Sequence, residues 1–139
     1  MWKTTYTTTT DKVTPEQIWR VWSDISLRSA WDTDTEWATL EGPFADGSII
    51  RFKVKNGPKV KMELLNCVQN RSFTDRTKFP GALMDVTHTV EQTGDKVTLT
   101  IVLQISGLLS FLWRKLVAEK VAATFAEQTA MLIKVAQDK

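Results

Sequence analysis

The only histidine of this chain, His88, ends a run in which apolar residues alternate with polar ones, as in a β-strand. Successive side chains of a strand point to opposite faces, so His88 shares the face of Met84 and Val86. An imidazole gains and loses a proton near neutral pH, which makes histidine the most frequent general acid or base in enzymes. His88 could therefore transfer protons, contact a ligand, or be a buried polar residue with an internal partner.

Turn signals predict which side chains surround His88. Three dipeptides are typical of hairpin tips: Asn70-Arg71, Pro80-Gly81 and Thr93-Gly94. If each is a two-residue turn, Phe73 on one neighbouring strand and Leu99 on the other face His88. The same register places Asn66 opposite Asp75. It also makes Asp75 the diagonal neighbour of His88, roughly 7 to 8 Å away between Cα atoms.

Four polar residues thus share an otherwise apolar inner surface: Asn66, Asp75, Thr77 and His88. Unpaired buried polar groups cost about 1 to 3 kcal/mol each, so one interpretation is that these residues bond to one another within a filled core. The other is that they orient a ligand in an apolar pocket. A narrower hypothesis makes His88 and Asp75 catalytic, with His88 as general acid or base and Asp75 fixing its tautomer.

The first elements that position these residues are a strand and two short helices. Residues 1–10 are rich in threonine and aromatic residues, which favours a strand. Thr14, Pro15 and Gln17 combine an N-cap, a proline at the first helical position and a capping box, which together predict a helix start. A second short helical segment is predicted to end near Trp31.

The remaining chain changes from strand to helix periodicity near Gly107. Residues 35–105 alternate with period two between turn signals, which predicts six antiparallel strands in a meander. Residues 107–137 carry one broad apolar stripe at helical spacing, which predicts a helix of about 30 residues. We therefore predict one α+β domain, residues 1–139, in which a curved seven-stranded antiparallel sheet wraps around a long C-terminal helix.

Four stretches spread over most of the chain resemble one known superfamily: TPEQIWRVWSDISLRSAW at 14–31, EGPFADGSIIRF at 41–52, SFTDRTKFPGALMDVTHTVE at 72–91 and QISGLLSFLWRKL at 104–116. The chain is similar to the START and birch-pollen-allergen superfamily, and within it to the bacterial polyketide cyclase/dehydrase-like branch. The resemblance implies a helix-grip fold with an elongated cavity between the sheet and the C-terminal helix. Members bind lipids, sterols, aromatic polyketides or hormones, and some cyclise or dehydrate polyketides. The resemblance also places Trp31 and His88 at the cavity.

The predicted ligand contacts combine strand alternation with this resemblance. Alternation places most of them on the inner face: Phe52, Met62, Asn66, Phe73, Asp75, Thr77, Met84, Val86, His88 and Leu99. The resemblance adds Trp31, and the apolar start of the C-terminal helix adds Trp113. The apolar residues around Trp113 predict core packing or a gate to the cavity in preference to membrane docking. They are Leu108, Leu109, Phe111 and Leu112.

Composition and motifs exclude other classes of function. The formal net charge of +2 gives no reason to expect nucleic acid as a partner, and the basic residues from Arg51 to Lys61 are predicted to form a solvated strand face. No phosphate-binding loop, dinucleotide fingerprint or nucleophile elbow occurs. The acidic residues from Asp32 to Asp46 lack calcium-loop spacing and are predicted to lie at the surface, so neither a metal nor a cofactor is expected. Cys67 is predicted to point outward as an inert thiol.

We expect a cytoplasmic protein, a monomer or homodimer, because the sequence shows neither an export signal nor an uninterrupted apolar stretch of about 20 residues. The leading hypothesis is that it binds a small hydrophobic or aromatic molecule, such as a lipid or polyketide, between sheet and helix. The second is an enzyme of the cyclase, dehydratase or lyase type that uses His88. The third is a protein-interaction module. A cavity on the order of several hundred Å³ would favour the first two, and a filled core the third.

Overall fold

The computed structural model describes residues 1–139, the whole of the chain. Its strands are β1 (Trp2–Thr10), β2 (Thr35–Glu41), β3 (Ile49–Val54), β4 (Lys59–Val68), β5 (Ser72–Phe79), β6 (Ala82–Thr93) and β7 (Lys96–Ser106). Between β1 and β2 lie α1 (Pro15–Ser23), a 3₁₀ turn (Ile25–Leu27) and α2 (Arg28–Trp31). After β7 come α3 (Ser110–Trp113), a π-helical turn (Arg114–Ala118), α4 (Glu119–Ala122) and α5 (Phe125–Ala136).

All seven strands form one sheet in the order β1-β7-β6-β5-β4-β3-β2. Each neighbouring pair is antiparallel, and β1 pairs with the last strand from Trp2 opposite Ile105 to Thr10 opposite Val97. The six strands from β2 to β7 are therefore the predicted meander. Together with the short helices after β1 and the long helical segment at the C-terminus, the sheet confirms the predicted helix-grip architecture.

Helix α1 begins at the residues that the sequence predicts, with the same cap. The Thr14 hydroxyl accepts a hydrogen bond from the Gln17 N–H at 3.2 Å, and Gln17 Oε1 accepts one from the Thr14 N–H at 2.9 Å. Pro15 follows the cap within the first turn. This reciprocal cap satisfies backbone donors that a helix start otherwise leaves unpaired. It also sets the position of Trp22, which is buried on the inward face of α1.

The C-terminal helix is interrupted, although the sequence predicts one continuous helix from Gly107. The π-helical turn separates α3 from α4, and residues 123–124 form a turn between α4 and α5. Gly107 itself is not helical. Its φ is +112°, and a Cβ at this position would lie 2.5 Å from the carbonyl oxygen of Gly81. Glycine is therefore required where the chain leaves β7 and crosses the tip of the β5–β6 hairpin.

The pairing of β6 with its two neighbours agrees with the prediction on one side and differs on the other. Phe73 of β5 lies opposite His88, as predicted. On the other side Ile101 of β7 lies opposite His88, whereas the predicted partner was Leu99. The two registers differ by two residues. Because a shift of two preserves the alternation, Leu99 still lies on the inner face and is buried.

The register of β7 differs because the hairpin turn lies one residue later than predicted. Thr93 pairs with Lys96, so the turn residues are Gly94 and Asp95. Gly94 has a φ of +68°. A two-residue hairpin of type II′ needs a positive φ at its first turn position, and glycine adopts it without strain. The predicted Thr93-Gly94 turn would have placed threonine there.

A longer turn and a bulge at Asn66 together make the predicted β4–β5 register wrong, because Val68 faces Ser72 and three residues form the turn instead of two. The register shifts within β4, and Asn66 has a φ of +51°. Asp75 therefore faces Leu64, and Asn66 is exposed instead of joining the polar residues of the inner face. Asparagine is one of the few residues that enter the left-handed region readily. The extra residue reverses the alternation beyond it, so Cys67 is half-buried against the core instead of pointing outward.

The inner face of the sheet packs in two hydrophobic clusters. The first includes Trp22 of α1, Trp31 of α2 and Leu132 of α5. The second includes Ala118 of the π-helical turn and Phe125 at the start of α5. The short helices therefore close one end of the sheet, and the middle of the C-terminal helical segment closes the other.

Candidate functional site

His88 and Asp75 form a buried pair on the inner face of the sheet. His88 Nε2 lies 3.2 Å from Asp75 Oδ2, and each side chain is 4% exposed. The pairing of β5 with β6 brings them together, because Phe73 faces His88 and Val86 faces Asp75. The two side chains are thus the diagonal neighbours that the sequence predicts. An ionised carboxylate only accepts hydrogen bonds, so a neutral imidazole in this pair carries its proton on Nε2 and leaves Nδ1 as an acceptor.

Aromatic rings fix the orientation of this imidazole. His88 stacks on Phe73, with ring centroids 4.4 Å apart and an angle of 11° between the planes. Trp22 meets the imidazole at 5.9 Å and Phe73 at 5.1 Å, in both cases edge-on. Phe44, from the segment between β2 and β3, packs edge-on against Phe73 at 5.2 Å. Ring packing and the bond to Asp75 together leave the imidazole one orientation.

A small cavity lies beside His88, between the sheet and α5. Residues from α1, α2, β6, β7 and α5 line it: Trp22, Trp31, His88, Thr89, Leu99, Thr100, Ile101, Gln128, Thr129 and Leu132. Its volume is about 10 Å³, which is room for about one water molecule. Cavities that hold a small organic molecule are on the order of 300 to 1,000 Å³. The elongated cavity implied by the resemblance is therefore not open in this conformation, and by volume alone a core this full is what was expected of a protein-interaction module.

Three buried polar atoms on residues that line this cavity have no hydrogen-bond partner: Trp22 Nε1, Trp31 Nε1 and Thr129 Oγ1. All three residues are buried. An indole N–H can only donate, and a buried donor left unpaired costs about 1 to 3 kcal/mol. Such groups gathered at one cavity are complementary to a hydrogen-bond acceptor, which a water molecule or an oxygen of a ligand can supply.

A buried network fastens α2 to α5 along one wall of the cavity. Arg28 Nη2 lies 3.2 Å from Asp32 Oδ2, and the guanidinium lies 4.6 Å from the centre of the Trp31 ring. Gln128 Nε2 donates to Asp32 Oδ1 at 3.2 Å and to Thr124 Oγ1 at 2.8 Å. The prediction that Asp32 lies at the surface is wrong, because this network buries it. The carboxylate has both a cation and an amide donor as partners, which is what its burial requires.

The family model described as polyketide cyclase / dehydrase and lipid transport matches residues 1–137. The chain belongs to this family. The match confirms the resemblance found in the sequence, and the family description names polyketides and lipids, both hydrophobic classes of molecule. No curated protein matches the sequence.

Solved structures share the fold of this polyketide cyclase/dehydrase and lipid transport family member. Norcoclaurine synthase from Thalictrum flavum, in complex with dopamine and hydroxybenzaldehyde, has a TM-score of 0.75 at 13% identity, over 99% of this chain and 87% of that chain. A START superfamily protein from Mycobacterium smegmatis has a TM-score of 0.71 at 15% identity, over 99% of both chains. A hypothetical protein from Helicobacter pylori has a TM-score of 0.77 at 11% identity, over 97% of this chain and 88% of that chain. Identities this low establish the fold alone.

The residues predicted to contact a ligand do not all meet at the family member's cavity. Trp31, His88 and Leu99 line it. Phe73 and Asp75 contact His88, through the ring stack and the hydrogen bond. These five residues form one continuous group around the imidazole, so alternation and resemblance together located the polar end of the inner surface.

The other predicted contacts are distributed over the core. Met62 belongs to the first cluster, and Phe52 packs against it. Met84 and Val86 belong to the second cluster. Thr77 is buried on β5 opposite Met84. In this conformation these side chains fill the core and do not line the cavity.

Sequence reasoning missed seven residues of the cavity: Trp22, Thr89, Thr100, Ile101, Gln128, Thr129 and Leu132. Gln128 and Thr129 carried a usable signal, because they lie between Phe125 and Leu132 at helical spacing and so fall on the inward stripe of α5. A polar residue on a buried stripe needs a partner, and that requirement marks it as a candidate for the site.

The apolar start of the C-terminal helix is packed only in part. Trp113 is half-buried against the second cluster, whereas Leu108 and Phe111 are 92% and 68% exposed. The prediction of core packing is therefore wrong for these two residues, and the alternative, a gate to the cavity, stays a prediction. The Leu109 N–H donates to the Gly81 carbonyl at 2.9 Å, which ties the helix start to the tip of the β5–β6 hairpin, beyond the edge of the core.

Cys67 is the single free thiol, and its surroundings do not activate it. Burial, and then the hydrogen bond and negative charge of Asp46, raise the pKa of Cys67 from 9.0 to about 11. The thiolate is the reactive form, so this thiol is unreactive near neutral pH. Histidine, cysteine and acidic side chains do not gather in groups of three or more that could hold a metal ion. None of the helices combines the length and apolar character that crossing a membrane requires.

Proposed function

We propose that this family member binds a small hydrophobic or aromatic molecule that carries an oxygen acceptor, with the oxygen in the cavity beside His88. The observation that carries the proposal is the set of unpartnered polar groups on Trp22, Trp31 and Thr129. Two indole donors and a hydroxyl complement a carbonyl, hydroxyl or phenolate oxygen. Lipids and polyketides, the molecules in the family description, combine apolar surface with such oxygens.

The apolar part of the ligand would extend from this cavity toward the second cluster. Ile101 provides the connection, because it lines the cavity and also belongs to that cluster. Met84 and Val86 continue the apolar surface along β6. Norcoclaurine synthase, which shares the fold, has a structure with dopamine and hydroxybenzaldehyde, two aromatic molecules that carry oxygen. That structure supports an oxygen-bearing aromatic ligand as one class to test.

Binding requires the cavity to enlarge from about 10 Å³. The helical segment that covers the sheet is interrupted by the π-helical turn and by the turn at residues 123–124. Interruptions of this kind let the flanking helices shift relative to each other while each keeps its hydrogen bonds. The network of Arg28, Asp32 and Gln128 holds α5 against α2. Opening breaks this network, and the contacts with the ligand offset the loss.

Mass spectrometry of the small molecules released from natively purified protein tests this proposal. The wild type should retain an oxygen-bearing hydrophobic molecule. Thr129→Val and Trp31→Phe should retain much less, because the first removes the hydroxyl from a side chain of the same shape and the second removes the indole N–H while keeping an aromatic ring. Thr39→Val is the matched control, since Thr39 is exposed on β2. Equal retention by all four proteins would contradict the proposal.

Titration with the fluorescent apolar anion anilinonaphthalene sulfonate gives the same comparison for protein purified without a ligand. Its sulfonate supplies acceptor oxygens and its rings supply apolar surface. The expected order is strong binding by the wild type and Thr39→Val and weak binding by Thr129→Val. If Thr129→Val binds the probe as tightly as the wild type does, the hydroxyl does not contact the probe.

A second candidate function is acid-base catalysis of the cyclase, dehydratase or lyase type. The observation that favours it is the buried pair of His88 and Asp75, whose imidazole lines the same cavity. With Nε2 bonded to Asp75, Nδ1 would accept a proton from a C–H or O–H group of the bound molecule and return it to the leaving oxygen. Asp75 would stabilise the imidazolium that forms between these two steps.

Chemical turnover of the retained molecule decides between the two functions. For an enzyme, His88→Gln should abolish product formation while the variant still retains the molecule. Glutamine keeps hydrogen-bonding groups near Asp75 and cannot act as a base near neutral pH. If the wild type binds the molecule and releases it unchanged, the protein is a binding protein, and His88 orients the ligand.

A further inference from the structure

The start of the C-terminal helical segment presents an apolar surface to solvent. Five large apolar residues of this segment are exposed, and we refer to them as the apolar patch: Leu108, Leu109, Phe111, Leu112 and Leu116. Leu108, Phe111 and Leu116 are 92%, 68% and 51% exposed. A single exposed leucine is ordinary on a soluble protein, whereas a contiguous group within nine residues marks an interaction surface.

The support beneath the patch is firmly held. Trp113 stacks on Phe79 with ring centroids 4.5 Å apart, and its Nε1 donates to the Pro80 carbonyl at 2.8 Å. Leu109 lies so close to Gly81 that a Cβ on the glycine would be 2.7 Å from Leu109 Cγ. The exposed side chains are therefore presented by a packed base, and their exposure does not result from a frayed helix end.

Basic residues flank the patch. Residues 107–122 contain Arg114, Lys115 and Lys120 against a single acid, Glu119. Arg114 pairs with Glu119 at 3.1 Å and lies 4.6 Å from the centre of the Trp2 ring. Lys115 and Lys120 are exposed. Lys115 and Lys120, which we call the basic flank, therefore give this surface a net positive charge beside the apolar patch.

We propose that the apolar patch docks this protein on the surface of an anionic lipid bilayer. Leu108 and Phe111 would enter the boundary between headgroups and acyl chains, and Lys115 and Lys120 would contact lipid phosphates. Apolar side chains with adjacent lysine and arginine are the chemistry that binds such an interface. A second copy of the chain fits the charges less well, because a two-fold interface centred on the patch brings basic flank against basic flank.

Co-sedimentation with lipid vesicles tests this proposal. The wild type should sediment with vesicles of phosphatidylcholine mixed with phosphatidylglycerol, and added salt should reduce binding. Binding to phosphatidylcholine alone should be much weaker. The variant Leu108→Ser/Phe111→Ser should bind the mixed vesicles at least about tenfold less, because it loses the inserted apolar groups. Lys115→Gln/Lys120→Gln should bind less and lose most of its dependence on salt.

Val68→Ser is the matched control, because Val68 is also a half-exposed apolar residue but lies at the end of β4, outside the patch. It should bind the vesicles as the wild type does. Circular dichroism and thermal unfolding should be the same for all variants, since the replaced residues are exposed. Retention of a ligand should also be unchanged, so failure of docking and failure of the proposed ligand site are separate results.

Three results would overturn the proposal. The first is the absence of binding to either kind of vesicle. The second is equal binding to neutral and anionic vesicles, which would remove the role of the basic flank. The third is a wild-type dimer that Leu108→Ser/Phe111→Ser converts to a monomer, without vesicle binding by either protein. That last result would assign the patch to a second copy of the chain.

Discussion

His88 lies parallel to Phe73, with 4.4 Å between the ring centroids, while its Nε2 lies 3.2 Å from Asp75. The ring stack and the hydrogen bond come from the same strand pairing, because β5 supplies both Phe73 and Asp75 to β6. The imidazole is thus fixed in position and lines a cavity that has further polar groups without partners. This arrangement supports the proposed ligand site, and each of its parts can be tested separately.

Replacing the imidazole should leave the buried carboxyl group of Asp75 without its hydrogen-bond partner. His88→Phe keeps a ring to stack on Phe73, so the lost hydrogen bond dominates, and the free energy of unfolding should fall by about 3 kcal/mol. Adding Asp75→Val should recover most of that loss, because it removes the unpaired carboxyl group. Urea unfolding of the single and double variants measures both. If the double variant is no more stable than His88→Phe, the pair does not act as a unit.

The hydroxyl of Thr129 should contribute nothing to the stability of the free protein. It is buried without a partner, so Thr129→Val should change the free energy of unfolding by less than about 0.5 kcal/mol or should stabilise the fold. Thr74→Val is the contrasting control, because the Thr74 hydroxyl shares a hydrogen bond of 2.9 Å with Thr87. That variant should lose about 1 kcal/mol. A similar loss in Thr129→Val would mean that a structural partner holds its hydroxyl.

Loosening the network between α2 and α5 should speed local opening. Gln128→Met fills a similar volume and removes the amide that donates to Asp32 and Thr124. Amide hydrogen exchange should become faster in α5 and remain unchanged in β6, because opening of the helix does not require unfolding of the sheet. Gln69→Met, at an exposed site, is the control. Uniform acceleration over the whole chain would indicate global destabilisation instead.

The contribution of the Cys67 thiol to the free energy of unfolding should decrease as the pH rises above 9.0. Its pKa is raised in the folded protein from 9.0 to about 11, by burial first and then by the hydrogen bond and charge of Asp46. The folded protein therefore holds this proton more tightly than the unfolded chain. The contribution is complete below pH 9.0 and is lost as the pH rises through about 11. Cys67→Ser should remove this component from thermal unfolding measured across that range.

Alkylation by iodoacetamide gives a direct measurement of the same thiol. Wild-type Cys67 should react slowly at mildly alkaline pH, and Asp46→Asn should react faster, because it removes the negative charge that raises the pKa. Asp95→Asn, in the β6–β7 turn, is the matched control. Equal rates for Asp46→Asn and the wild type would mean that burial alone sets the reactivity.

Two glycine positions with positive φ should differ in the cost of an added methyl group. Gly107→Ala should destabilise the fold by more than about 2 kcal/mol, because its Cβ would lie 2.5 Å from the Gly81 carbonyl oxygen in addition to the backbone strain. Gly94→Ala should cost only about 1 kcal/mol, because no atom lies within 4 Å of its Cβ. Thermal unfolding compares the two. Equal losses would show that the hairpin tip moves away without cost.

The sequence by itself determined the order of elements, the start of α1 and the faces of the strands. These features depend on neighbouring residues: the capping box needs Thr14 and Gln17, and alternation needs only that a strand remains regular. Because β5 and β6 are both regular, the sequence also predicted their register, and with it the pairing of His88 with Asp75. Asn66 shows where such reasoning fails, because one left-handed residue reverses every face beyond it.

Only the tertiary structure decided the volume of the cavity and the partners of its polar groups. Both depend on how side chains from distant elements fill the same space. Thr129 lies far along the chain from Trp22 and Trp31, and the three residues meet because α1, α2 and α5 pack on one end of the sheet. Periodicity likewise assigned Leu116 to an apolar stripe, but a stripe is buried only where a partner surface lies opposite. No other element of the fold covers Leu108 and Phe111, and for that reason the apolar patch faces solvent.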